Sequence, residues 1–366
     1  MSIAFFFGTT AELIKLAPVI KALDEVEQPY ELWNTAQHVA ALRSTCDDLA
    51  IRYPDVHFVP RRRQRPVIAS TQVPLWACQV LGHAVRNCGD LRRRLDADGN
   101  PPLVIVHGDT FTTLFGAIIG RSLRADVAHV EAGMRSGSLL SPLPEEFNRT
   151  MVAKLATINY APTTVEVANL TAERAPGEIV NTTANTVVDA LRLVMGMRST
   201  IDLPEQFGLV TLHRFEFLRQ ADVFADTIRA LADFAETYPL VMPAGGPERA
   251  RISELGLDSA FGGNFQLIEK LPYARFIPVL NKASFVVTDS GGLQEECSLL
   301  GIPCCVHRER VERDTSAGEN AVLTQFDLDA LVAFLGEWQD YRRPSRIDEF
   351  HPTQIIMDNL RSHGYF

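Results

Sequence analysis

Short apolar runs that alternate with helical patterns constrain the fold of this chain more than any other feature. In the first half these runs are Ile3–Phe7, Tyr30–Trp33, Val56–Val59, Leu103–His107, Val127–Glu131 and Ile158–Ala161. In the second half they are Leu209–Leu212, Leu240–Pro243, Phe265–Ile268, Phe285–Asp289 and Cys304–Val306. Strands that alternate with helices at this spacing form parallel sheets with helices on both faces. The sequence therefore predicts an α/β protein with two Rossmann-like, doubly wound domains that face a central cleft.

The length of 366 residues suits two such domains, each with its own core. A polar stretch that ends in Pro204 follows the helical pattern Val187–Met197 and predicts a linker. We expect an N-terminal domain at 1–190, a C-terminal domain at 204–345, and a last helix within 346–366 that packs back towards the N-terminal domain.

The charge balance narrows the classes of partner. The chain has 45 acidic and 35 basic residues, a net charge of −10, which disfavours nucleic acid and anionic membranes. No apolar run approaches the roughly 18 residues of a membrane span. The six cysteines lack the spacing of a metal site, so we expect reduced thiols, no metal and a cytoplasmic location.

A glycine pair follows the fourth strand of the second half. Ser290, Gly291 and Gly292 stand between the strand and a helix that is predicted to begin at about Leu293. Glycines permit close approach of a ligand, and a helix start presents free N–H groups to an anion. Glu296, one turn later, can accept hydrogen bonds from ribose hydroxyls. The pattern indicates a diphosphate site, although an ordinary strand-to-helix turn would look the same.

Three carboxylates lie near strand ends in the first half: Asp109, Glu131 and Glu145. Ligands of open parallel sheets bind beyond the carboxyl ends of the strands. Carboxylates that converge there are suited to removing and returning a proton. Taken singly, Asp109 could instead cap a helix, and Glu145 could occupy a helix first turn.

Charged side chains follow other strands. Lys15 comes after the first strand and His213 after the strand that opens the second half, so the two could bind a phosphate leaving group across a cleft. Arg313, in a loop after Cys304–Val306, could reach the same ligand. Alternatively, Lys15 is a surface lysine, His213 a satisfied strand-end residue and Arg313 a solvated loop charge.

Seven ordered segments together resemble the UDP-N-acetylglucosamine 2-epimerase family, which has a two-domain fold of the glycosyltransferase-B type. The segments are Gly8–Lys15, His107–Thr110, His129–Arg135, Pro144–Arg149, Asn185–Leu191, Thr211–Arg214 and Asp289–Glu296.

The resemblance implies roles for individual residues. The residues implied to hold UDP are Ser290, Gly291, Gly292, Glu296, Phe276 beside the uracil, His213 and Arg313. It also implies that Asp109, Glu131 and Glu145 serve the sugar chemistry, with Lys15 in the active site. Thr10 and Arg135 fall in the matching substrate-binding segments, but family members usually carry arginine where this chain has Thr10. The resemblance implies a homodimer and implies no cofactor.

The family resemblance predicts epimerisation at carbon 2 of a UDP-N-acetylhexosamine, from UDP-N-acetylglucosamine to UDP-N-acetylmannosamine. UDP would be eliminated to give a glycal and then added back. Three alternatives stay open: a hydrolysing 2-epimerase that releases free N-acetylmannosamine and UDP, a transferase of the glycosyltransferase-B type, and a non-catalytic UDP-sugar binder.

Overall fold

The computed structural model describes residues 2–37, 41–60, 62, 64, 70–96, 99–136, 144–197, 201–309 and 320–366. The chain forms two compact units. The first combines Met1–Leu193 with Phe350–Phe366, and the second is Val194–Glu349. The domain bounds expected from the sequence stay a prediction.

A parallel sheet of seven strands forms the centre of the first unit. Its strands are β1 (Ile3–Phe7), β2 (Tyr30–Asn34), β3 (Val56–His57), β4 (Leu103–His107), β5 (Asp126–Val130), β6 (Ile158–Ala161) and β7 (Glu178–Asn181). The order across the sheet is β3-β2-β1-β4-β5-β6-β7. All five residues of β1 and of β4 are buried, as expected of central strands covered on both faces.

Helices follow the strands of the first unit. They are α1 (Thr10–Glu25), α2 (Leu42–Asp48), α3 (Val73–Arg86), α4 (Cys88–Leu95), α5 (Phe111–Ser122), α6 (Glu145–Leu155), α7 (Thr164–Ala172) and α8 (Val187–Met195). Part of the core beneath them contains Phe6, Trp33, Phe58 and Trp76, all buried.

The second unit repeats this plan with six parallel strands. They are β8 (Gly208–Thr211), β9 (Leu240–Ala244), β10 (Phe265–Glu269), β11 (Phe285–Thr288), β12 (Cys304–Val306) and β13 (Ala321–Leu323), in the order β10-β9-β8-β11-β12-β13. Its helices are α9 (Phe215–Leu218), α10 (Ala221–Ala235), α11 (Gly246–Glu254), α12 (Tyr273–Lys282), α13 (Gly291–Leu300) and α14 (Leu328–Glu337).

The last helix, α15 (Pro352–Ser362), belongs to the first unit. Its Ile356 and Leu360 are buried, and Asn359 accepts a 2.8 Å hydrogen bond from the hydroxyl of Tyr160 in β6. Beyond the helix, Tyr365 donates to Asp126 at 2.9 Å. The C-terminal segment thus completes a fold that begins more than 300 residues earlier.

The two parallel sheets confirm the predicted fold class. Two edge strands, β7 and β13, were missed by the sequence analysis because each is short and only partly buried. Within the described part of the chain, no helix is long and apolar enough to cross a membrane. The same residues include no group of three or more side chains able to hold a metal ion.

Candidate active-site edges

The strand order of the first sheet reverses direction between β1 and β4, which is where open sheets bind ligands. The turn after β1 is built tightly. A side chain on Gly8 would come within 2.3 Å of the hydroxyls of Thr35 and Thr112, so packing in this unit requires glycine there. Thr9 then caps α1 and forms a capping box with Glu12.

Glu131 is the first residue after β5, and its side chain is held from two sides. Its Oε2 lies 2.8 Å from Lys15 Nζ in α1 and 3.1 Å from His107 Nε2 at the end of β4. The backbone of Glu131 has a φ of +64°, which is uncommon for a residue other than glycine. The structure therefore places Lys15 beside Glu131 and not at the open surface.

Asp109, just beyond β4, is oriented by α6. The Oδ2 atom of Asp109 accepts hydrogen bonds from Arg149 Nε at 2.9 Å and Nη2 at 2.5 Å. The backbone oxygen of Asp109 accepts a bond from Asn148 at 2.9 Å. Burial acts to lower the pKa of Arg149, but Asp109 and Glu146 outweigh it and the pKa is raised. Within the described ranges nothing donates to Asp109 Oδ1, so that oxygen is the one left to meet a substrate.

Glu145 begins α6, and its neighbour Glu146 has a different environment. Glu146 is buried and accepts bonds from the backbone N–H and hydroxyl of Ser136 and from Arg149. For Glu145, the buried Oε2 makes no hydrogen bond to any residue that the structure describes. Of the two adjacent acids, Glu146 is therefore structural, while Glu145 has an oxygen available.

Two expected substrate-binding residues have contrasting surroundings. Thr10 is the first residue of α1 and is half-buried; its side chain makes no hydrogen bond within the described chain. Arg135 forms a bidentate pair with Glu173, with both N–O distances 2.6 Å, and donates to the backbone of Met134. The guanidinium of Arg135 is thus largely committed to neighbouring protein groups.

The second sheet reverses direction between β8 and β11. Asp289, the residue after β11, is fully buried and joins the two strand ends. Its Oδ2 accepts bonds from the backbone N–H groups of His213 at 2.9 Å and Arg214 at 2.7 Å, and its Oδ1 lies 3.3 Å from His213 Nδ1. Burial raises the pKa of Asp289, although His213 and these amides act against the rise. Asp289 holds the His213 ring, which is 42% exposed, at this edge.

The start of α13 has free space beside its first turn. Ser290 caps the helix, and Gly291 and Gly292 form its first turn. A side-chain carbon at Gly291 would meet only Arg308 at 3.5 Å, and one at Gly292 only Ser290 at 3.9 Å, so ordinary van der Waals space is present. Neither residue has the positive φ that favours glycine. Unlike Gly8, these glycines are not required by the packing of their own unit, so close approach by a ligand explains them better.

Glu296 and Phe276 lie on the two helices next to this helix start. Glu296 is in the second turn of α13 and half-buried, and Phe276 is half-buried in α12. Burial and then the charge of Glu296 raise the pKa of Tyr273 well above its usual value, which places that tyrosine beside Glu296. Arg313 lies outside the described residues.

A cavity of about 280 Å³ opens at the same edge of the second unit. Its charged lining consists of two arginines and three acidic residues, and its apolar lining includes two phenylalanines; these residues are Arg214, Arg308, Glu216, Asp289, Glu309, Phe217 and Phe326. The lining therefore has mixed charge, and the two arginines are the groups in it that could pair with an anion.

Several residues that shape these edges received no role in the sequence analysis. Glu12 had a detectable signal, because Thr9 and Glu12 have the spacing of a capping box. His107 and Arg149 had no local signal, since their importance depends on partners that are distant in sequence.

Two parallel sheets with reversing strand order, each carrying polar groups at its carboxyl edge, define an α/β protein of the glycosyltransferase-B type. A family model described as UDP-N-acetylglucosamine 2-epimerase matches residues 29–346. This chain belongs to the UDP-N-acetylglucosamine 2-epimerase family.

Individual relatives agree with this assignment. The UDP-N-acetylglucosamine 2-epimerase of Salmonella typhimurium is 35% identical over 86% of this chain and 83% of its own length. That of Yersinia pestis is 31% identical over 99% of both chains. The crystal structure of the Neisseria meningitidis UDP-GlcNAc 2-epimerase bound to UDP-GlcNAc is similar with a TM-score of 0.80 and 26% identity, over 99% of this chain and 100% of the other.

Proposed function

We propose that this protein epimerises carbon 2 of UDP-N-acetylglucosamine to give UDP-N-acetylmannosamine, without releasing free sugar. The observation that carries the proposal is the pair of carboxylates Asp109 and Glu131 at the ends of the neighbouring strands β4 and β5, each oriented by a cation. A protein that only binds a UDP-sugar needs no such arrangement. Family membership supplies the substrate class.

In this proposal the second unit binds UDP. The diphosphate lies at the start of α13, where the N–H groups and the positive end of the helix dipole favour an anion. Its proposed ligands are Ser290, Gly291, Gly292, Glu296 for the ribose, Phe276 for the uracil, His213 and Arg313. The space above Gly291 and the neighbouring Arg308 support this assignment.

The first unit carries the sugar chemistry. A carboxylate removes the proton from carbon 2 while the bond between carbon 1 and the UDP oxygen breaks, and UDP leaves with the electron pair. Addition of UDP to the resulting glycal, with a proton delivered to the opposite face of carbon 2, completes the epimerisation. Asp109, Glu131 and Glu145 are the proposed proton carriers, with Lys15 orienting Glu131; Thr10 and Arg135 complete the proposed substrate contacts.

The test is incubation with UDP-N-acetylglucosamine in heavy water, followed by proton NMR. Deuterium at carbon 2 of a UDP-linked mannosamine product is the expected result. Free N-acetylmannosamine with UDP would indicate the hydrolysing reaction, and binding without turnover would overturn the proposal.

Conservative variants test which carboxylates take part in the proton transfers. Asp109→Asn and Glu131→Gln keep the side-chain size and are expected to lower kcat by roughly 100-fold or more, the usual contribution of a proton-transfer group. Asp358→Asn, at an exposed position of α15, should leave kcat unchanged.

The homodimer and the cytoplasmic location stay predictions, which sedimentation and cell fractionation would test.

A further inference from the structure

Glu12 is a buried carboxylate that the proposed chemistry does not use. It lies in the first turn of α1 and is only 4% exposed. No cation pairs with it anywhere in the described ranges. Its partners are instead three neutral donors: the N–H of Gly8 at 2.7 Å, the N–H of Thr9 at 2.9 Å and the hydroxyl of Thr110 at 2.6 Å.

These bonds join the two turns that border the reversal point of the first sheet. Gly8 and Thr9 form the turn after β1, and Thr110 follows Asp109 in the turn after β4. The Thr110 hydroxyl also accepts a bond from the N–H of Thr113 and so caps α5. Glu12 therefore links the start of α1 to the start of α5, which a capping box alone would not do.

The chemistry of the link explains why a carboxylate is present. Burial raises the pKa of Glu12, so placing the group there costs stability, and its three hydrogen-bond donors only partly offset this cost. An ionised carboxylate is an acceptor only and suits three donors at once. A glutamine amide would bring a donor to a place where Gly8, Thr9 and Thr110 all donate.

We propose that Glu12 is a positioning residue whose carboxylate sets Lys15 against Glu131 and holds Asp109 in place. Lys15 lies three residues further along α1, and Asp109 immediately precedes Thr110. A shift of the turn after β1 would move Lys15. A shift of the turn after β4 would move Asp109. The role rests on the proposed epimerase function.

The test compares Glu12→Gln and Thr110→Val with their double variant. We expect kcat to fall roughly 10- to 100-fold in each single variant, because small displacements of reacting groups are costly. The double variant should be no slower than the slower single variant, since both break one link. UDP affinity should stay within about twofold, because its proposed site is on the other unit. Thr110→Ser keeps the hydroxyl and should restore most of the activity lost in Thr110→Val.

Glu31→Gln is the matched control. Glu31 is also a buried carboxylate of the first sheet, 5% exposed, but it bonds to Trp33 and Arg94 away from the carboxyl edge. The Glu31→Gln variant should have a lower melting temperature than the wild type, and kcat of the folded enzyme should be unchanged. If Glu12→Gln behaved like Glu31→Gln, the positioning role would be overturned while the epimerase function stood. A wild-type protein without turnover would overturn both.

Discussion

Individual carboxylates at the edge of the first sheet are distinguished by their partners. Asp109 meets a guanidinium, Glu131 meets an ammonium group and an imidazole, and the donors to Glu12 among the described residues are all neutral. Because an acid's chemistry depends on its neighbours, residues of the same type acquire different roles here. The surroundings of a buried histidine likewise set its pKa, and His307 can be used to test this.

His307 is fully buried and lies between two threonine hydroxyls, with Thr227 3.0 Å from Nε2 and Thr324 2.7 Å from Nδ1. Burial lowers its pKa to about 4, from a usual value of 6.5, despite a small opposing effect of Asp327. Between these values the unfolded chain binds the proton and the folded chain does not. His307 therefore makes the free energy of unfolding fall as the pH drops from about 6.5 to 4, by up to about 3 kcal/mol.

Urea unfolding of wild type and His307→Gln at several pH values in that window measures this effect. The variant is expected to be less stable at pH 7, where a well-bonded ring has been removed, but to lose less stability on acidification. Parallel pH dependences for the two proteins would show that His307 is not the group responsible.

Helix starts are the elements that form both sheet edges. Helices α1, α5 and α13 each begin directly after a strand-end turn and each has a side-chain cap, from Thr9, Thr110 and Ser290 respectively. Of these three, only α13 combines its cap with two glycines that have room above them. This difference supports the proposal that the diphosphate lies at the start of α13.

Gly291→Ala tests the role of that space. The added methyl group has room in the unit itself and replaces glycine in a helix, so stability should be unchanged or rise by up to about 1 kcal/mol. If the diphosphate lies on this turn, crowding should weaken UDP binding by roughly 1–3 kcal/mol, about 5- to 150-fold. Calorimetric titration with UDP gives the affinity, and thermal unfolding gives the stability.

The control is Gly336→Ala in α14, where a side-chain carbon meets nothing within 4 Å. It should match the stability change of Gly291→Ala and leave UDP affinity unaltered. Equal UDP affinity in both variants would place the diphosphate elsewhere.

At the scale of the whole molecule, the first unit is discontinuous in sequence. Its sheet and helices up to Leu193 are completed by Phe350–Phe366, after the entire second unit. Ile356, Met357, Leu360 and Tyr365 of this segment are buried. Each such side chain contributes roughly 1.5–3 kcal/mol, so together they are comparable to the total stability of a domain, about 5–15 kcal/mol.

A chain that ends at Glu349 is therefore expected to lose the folded first unit and to keep the second. Hydrogen exchange should show unprotected amides in β1 and β4 and native protection in β8 and β11. Arg361→Ala, which changes only an exposed side chain of α15, serves as the control for altering this helix. Native protection of β1 in the truncated chain would show that the C-terminal segment is dispensable.

Much of this architecture follows from the pattern of apolar residues along the chain. The apolar runs located the central strands, since residues buried on both faces must be apolar along their whole length. They did not reveal β7 and β13, whose edge positions leave them partly exposed. The candidate site was predicted less completely: Asp109, Glu131 and Gly291 were named from their places after strands, whereas Arg149 and His107 were not.

The sequence by itself determined the two parallel sheets, the helix that follows Ser290 and the family, because all of these depend on order and spacing along the chain. The helix was predicted to begin at about Leu293, and it begins at Gly291. Only the tertiary structure decided which side chains meet. Lys15 and Glu131 are separated by 116 residues, and Asp109 and Arg149 by 40. Such pairs form when strand order and helix packing bring distant segments to one edge of a sheet, and no local pattern encodes that meeting. For the same reason, the local pattern around Glu12 is that of an ordinary helix cap, and only the fold brings Thr110 beside it.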